Sequence, residues 1–67
     1  MNRKEQGAAF RAIDKQLHEL HAALLKSAEE EDDDDAGDHY DESAEAVNGA
    51  IAELDEAIDH WKLAEDE

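Results

Sequence analysis

Apolar residues recur at helical intervals in two long blocks of the chain. In the first, Phe10, Ile13, Leu17, Leu20 and Leu24 follow one another in steps of 3, 4, 3 and 4, the spacing of an a/d heptad stripe. Ala9, Ala23 and Leu25 widen that stripe, while Arg11, Lys15, His18, Ala22 and Lys26 follow the opposite side. In the second block Tyr40, Ala44, Val47, Ile51, Leu54, Ile58 and Trp61 repeat in steps of 4, 3, 4, 3, 4 and 3, and Leu63 falls off the stripe. Val47 is the only valine and threonine is absent, so there is almost no material for strands. The pattern predicts an all-α protein.

The ends of the two helices are set by polar residues. Asn2 with Glu5 three residues later reads as a capping box and opens helix 1 over about 3–28. The run Glu29-Glu30-Glu31-Asp32-Asp33-Asp34-Asp35, followed by Ala36-Gly37-Asp38, is self-repelling. It is expected to form an acidic linker over 29–38. Asp38 or Asp41 can cap helix 2, over about 39–64, and acids in its first turn favour that end. Asn48-Gly49 interrupts the propensity but not the phase, so helix 2 is expected to continue with a weak point there, a break into two shorter helices being the fallback. Glu65-Asp66-Glu67 reads as a loose tail.

Two heptad helices and a short connection give an antiparallel two-helix hairpin, one small helical domain over 1–67. Each helix of a lone hairpin meets only one neighbour, so the stripes call for dimerisation into a four-helix bundle or for docking on another protein. Sixty-seven residues without cysteine are near the lower limit for a self-sufficient core. The amino terminus begins with charges and no long apolar run follows. It therefore predicts neither a signal peptide nor a membrane span, and a cytoplasmic location.

Charge separates the halves. Residues 1–28 hold five bases and three acids, whereas residues 29–67 hold eighteen acids and one base, Lys62. A surface so negative excludes direct nucleic-acid binding by the second half, since that affinity comes from Lys and Arg contacts. It points to cations or basic protein surfaces as partners. The net charge of −15 far exceeds the magnitude of about 2–8 that keeps a small domain in solution. Halophilic adaptation would spread acids over the whole surface, whereas the first block keeps a positive balance.

Metal and catalytic chemistry find little support. With Gly37 as the sixth residue of an EF-hand loop, Asp32, Asp34 and Asp38 fall at positions one, three and seven. Ala36 and Ser43 then occupy positions five and twelve, where oxygen ligands are required, leaving only diffuse association with cations. His18, His21, His39 and His60 lack the converging ligands that zinc needs. Asp14 and Glu56 precede His18 and His60 by four residues, an ordinary helix-surface pairing. No nucleophile or phosphate loop is recognisable, so neither enzyme activity nor a cofactor is expected. Tyr40 and Trp61 lie on the stripe as core residues, with Trp61 near an open end where it could also anchor an interface.

What remains is the acidic surface. Asp38, Asp41, Glu42, Glu45, Glu53, Asp55, Glu56 and Asp59 occupy the faces that the second stripe leaves free. Carboxylates one helical turn apart are separated by about 5–6 Å along the axis, against about 3.4 Å per phosphate on a DNA strand. Glu29, Glu30, Glu31, Asp32, Asp33, Asp34, Asp35, Asp38, Asp41, Glu42, Glu45, Glu53, Glu56 and Asp59 are therefore the candidate partner-binding residues, with a basic nucleic-acid-binding protein surface as the partner.

In shortness, in the Glu29–Asp35 run, in the acid-studded second block and in the lack of catalytic residues, the chain resembles a class of small phage proteins. These are acidic proteins of phages and mobile elements that disable host nucleic-acid machinery, including anti-CRISPR proteins and other DNA mimics. The resemblance is one of character rather than motif. It implies a non-enzymatic inhibitor that acts in the host cytoplasm and blocks the DNA-binding surface of a nucleic-acid-binding protein, such as a CRISPR effector complex. In architecture the two heptad blocks also resemble the small plasmid-encoded RNA-binding hairpins of the Rop type, which dimerise. Here only Arg3, Lys4, Arg11, Lys15 and Lys26 could serve such RNA binding. The alternative function is a structural or assembly hairpin that pairs through its stripes.

Overall fold

A computed structural model describes residues 1–65, at Glu65 the backbone alone, and holds two helices, α1 (Arg3–Glu30) and α2 (Asp34–Glu65). They pack side by side as an antiparallel hairpin, 52 × 16 × 14 Å in extent. The direction is fixed where the termini meet, since Arg3 Nη2 donates to the Trp61 carbonyl at 2.8 Å. Of the expected tail, Glu65 is the last residue of α2; Asp66 and Glu67 lie outside the described residues.

α1 starts as its capping box requires. Asn2 Oδ1 accepts from the Glu5 amide at 2.8 Å, and the Asn2 amide donates back to Glu5 Oε1 at 3.3 Å. α2 runs unbroken through Asn48-Gly49. The heptad packing on either side outweighs the roughly 1 kcal/mol that one glycine costs a helix.

The acidic linker is much shorter than its charge suggests. Within residues 29–38 only Glu31, Asp32 and Asp33 lie outside the helices. Helix 2 is capped by neither Asp38 nor Asp41. Asp33 does it: Oδ1 accepts from the Asp35 amide at 3.0 Å, and its carbonyl accepts from the Gly37 amide at 2.8 Å. Asp34 and Asp35 then fill the first turn, where amides left open by the helix attract carboxylates. Local hydrogen bonding and the helix dipole thus absorb part of a repulsion that reads, residue by residue, as unbroken. Glu29 and Glu30 carry α1 on to its end without that help, and the last turn of α1 holds no base.

The stripe of α2 faces α1 as its spacing requires. Ala44 and Ile51 are buried at 1% and 6% exposure, Val47, Leu54, Ile58 and Trp61 are half-buried, and Tyr40 is exposed near the turn. The row of α1 against α2 is different from the expected one. It comprises Gly7, Phe10, Asp14, Leu17, His21, Leu24 and Ala28, all buried or half-buried. Ile13 and Leu20 stand beside it, 46% and 48% exposed. Trp61 accounts for the rotation. Its ring lies where a Cβ on Gly7 would meet Cη2 at 3.0 Å, so the glycine forms a slot for the indole and turns that side of α1 toward α2. The apolar arc of α1 is left half inside the hairpin and half outside.

The rotation gives the hairpin two unlike edges. On one, Arg11 of α1 lines a groove with Asp55, Asp59 and Lys62 of α2. On the other, the α1 row is Gln6, Ile13, Leu20 and Ser27, and the flanking α2 row is Ala36, Ser43, Ala50, Ala57 and Ala64. Neither row contains a charged residue.

Candidate acidic interface

All fourteen candidate carboxylate residues are exposed, and the fold divides them into two groups. Glu29 and Glu30 from the last turn of α1, Glu31–Asp33 from the turn, and Asp34, Asp35, Asp38, Asp41, Glu42 and Glu45 from α2 converge on one end of the rod. No Lys or Arg occurs between residues 29 and 45. Asp34 to Glu45 covers eleven helical steps, about 17 Å along the axis. That distance matches about five phosphate steps on one strand.

Glu53, Glu56 and Asp59 form the second group, separated from Glu45 by two acid-free turns. Their field is tempered. Asp59 and the neighbouring Asp55 line the same groove as Arg11 and Lys62, and His60 Nε2 stands 4.0 Å from Glu56 Oε1. At the acidic end the nearby basic side chains are Lys26, whose Nζ is 3.9 Å from Glu30 Oε1, and His39, whose Nδ1 is 3.9 Å from Glu42 Oε2. Both pairs are well exposed, so water and salt screen them and each contributes less than about 1 kcal/mol. The carboxylates of the acidic end therefore keep most of their field.

The turn itself is ordered by its own acids. The Asp33 amide donates to Glu31 Oε1 at 3.2 Å, and Asp33 caps α2. Gly37 sits opposite the end of α1, where an added Cβ would be an ordinary 3.7 Å from the Ala28 carbonyl oxygen. Asp34 and Asp38 lie within a helix, a backbone that cannot wrap a cation as an EF-hand loop does. Among the described residues no three His, Asp or Glu side chains converge to hold a metal ion, and no helix is long and apolar enough to cross a membrane.

Two polar residues missed by the stripe lie between the helices. Asp14 pairs with His18 one turn on, its Oδ1 3.5 Å from His18 Nε2, but it also belongs to the row facing α2, where that oxygen is buried without a hydrogen bond. His21 is half-buried one heptad later. Their seven-residue spacing from Gly7 was the available signal, obscured by the more apolar row beside it.

At the opposite end Trp61 is held on several sides. Its Nε1 donates to Gln6 Oε1 at 2.9 Å, the Arg3 guanidinium lies 4.0 Å over the ring, and Phe10 meets it edge-on at 5.4 Å between centroids. Comparison with known protein families, curated proteins and solved structures finds no match.

Proposed function

We propose that the chain is a non-enzymatic inhibitor whose acidic end occupies the basic, DNA-binding surface of a nucleic-acid-binding protein, with carboxylates in place of phosphates. One observation carries this reading: eleven exposed carboxylate residues lie within residues 29–45, without a Lys or Arg among them, on the two helix ends and the three-residue turn that joins them. Helix geometry holds those of α2 at fixed intervals, so a basic groove meets a preformed charge array rather than a floppy tail. A CRISPR effector complex is one target of suitable chemistry. The distal Glu53, Glu56 and Asp59, tempered by Arg11 and Lys62, extend the footprint and contribute less.

The test is affinity capture on immobilised protein from a nuclease-treated bacterial lysate. It is run at low salt and at about 0.5 M, where the Debye length has fallen to about 4–5 Å. The expected catch is a nucleic-acid enzyme retained at low salt, eluted by duplex DNA, and lost when Asp34, Asp38, Asp41 and Glu45 are together changed to Lys. A partner held equally at both salts, or indifferent to the charge reversal, would replace this reading with an assembly hairpin.

A further inference from the structure

The neutral edge of the hairpin is a surface that the proposed function leaves unused. Ile13 and Leu20 project from it at 46% and 48% exposure, on a chain in which 40% of residues are charged. The molecule also has more surface than its mass warrants. Its accessible area is 5210 Å², whereas folded monomers of 7.5 kDa scale to about 4,200 Å². The excess, about 1,000 Å², is comparable with the roughly 800 Å² that each partner contributes to a standard interface. Part of it follows from the rod shape, and a partner along the rod is what would cover it.

We infer that a second copy of this chain docks on the neutral edge, giving a four-helix bundle whose two-fold axis runs along the rod, with the two acidic ends side by side beyond the facing rows. Two features select a second copy. The edge carries a bulky row on α1 beside a small row on α2, so a two-fold axis sets Ile13 and Leu20 of each copy against Ala50 and Ala57 of the other. Neither row bears a charge, so the facing rows set no carboxylate against another. A basic protein would find nothing here for its charges. The inference is independent of the proposed function, and salt acts on it in the opposite sense. Dimerisation opposes two charges of −15, so screening should tighten it, on the order of tenfold in Kd as the Debye length falls from about 30 Å to about 4–5 Å.

The experiment is sedimentation equilibrium of the intact chain from about 5 to 500 μM at about 0.01 and 0.5 M salt. Circular dichroism accompanies it to confirm helicity. The expected mass is twice 7.5 kDa, favoured by high salt. Leu20→Glu should return the monomer. Ala50→Glu, at an exposed position of α2, should do the same and keeps the test valid if the first variant loses helicity. Leu25→Glu, exposed off the neutral edge, should leave the dimer intact. A monomer of 7.5 kDa at the highest concentration and salt would overturn the inference, as would a dimer that survives Ala50→Glu.

Discussion

Where the termini meet, one indole is engaged by Arg3, Gln6, Gly7 and Phe10. At the turn, eleven acidic residues share seventeen positions with no Lys or Arg among them. The first end has specific contacts: a cation–π pair of about 0.5–2 kcal/mol, an edge-on aromatic pair of about 0.5–1.5 and a hydrogen bond of about 1. The second has a cap and a favourable dipole for α2, set against mutual repulsion and an unfavourable dipole for α1. A charge array for a partner and a well-held structure compete for the same residues. The hairpin resolves the conflict by placing them toward opposite ends of a rod 52 Å long.

The largest effect should come from removing the indole. Trp61→Ala is expected to cost about 3 kcal/mol, read as a shift of the urea midpoint by circular dichroism. Tyr40→Ala, near the turn and exposed, should cost less than about 1 kcal/mol. Equal losses at the two positions would mean that the ends are held alike.

Within the turn, the cap should separate from its neighbours. Asp33→Ala is expected to lose about 1 kcal/mol, because the Asp35 amide then lacks its acceptor. Asp32→Ala, with no cap to lose, should be neutral or gain a few tenths at low salt. Paired denaturation curves decide it. If both destabilise equally, Asp33 acts through something other than the cap.

How much of this was legible beforehand follows from which forces are local. The capping box at Asn2 and Glu5, the phase of α2 and the hairpin itself depend on neighbours within a turn or a heptad, and the sequence displays them. The row of α1 that meets α2 does not. Periodicity defines an apolar arc from Phe10 through Ile13 to Leu24, and its rotation is chosen by Trp61 against Gly7, residues far apart in the chain. The shortness of the turn is hidden from a count of charges, because the dipole of α2 and the cap at Asp33 offset part of the repulsion. The candidate carboxylates could be read from charge alone. Their division into a strong end and a tempered patch required Arg11 to be placed across from Asp55 and Asp59.

Glycines at the two ends sharpen the contrast at a scale of about 1 kcal/mol or less. Gly37→Ala places a methyl in ordinary contact, 3.7 Å from the Ala28 carbonyl oxygen. It should gain about 0.5–1 kcal/mol from the lower entropy of the unfolded chain. Gly7→Ala should forfeit that gain, since its methyl would stand 3.0 Å from Trp61 Cη2 and the ring is tied by Gln6, Arg3 and Phe10. Tryptophan emission should move with the second substitution and not with the first. Stabilisation by Gly7→Ala without an emission change would show the slot to be slack.

The smallest effect is the most direct reading of the repulsion. Raising salt from about 0.01 to 0.5 M shortens the Debye length from about 30 Å to about 4–5 Å. Repulsion across Glu29–Glu45 should then relax by a few tenths of a kcal/mol. Opposing it, screening weakens the attraction of Asp34 and Asp35 to the start of α2, so the two ends of the turn should respond differently. Amide exchange should slow over the last turn of α1, where Glu29 and Glu30 face an unfavourable dipole, and change little over the first turn of α2. Exchange near Trp61, held by packing and uncharged contacts as well as Arg3, should be nearly indifferent to salt. Uniform slowing along the whole rod would instead indicate a global change, as bundle formation at high salt would produce. Repeating the measurement on Ala50→Glu separates the two.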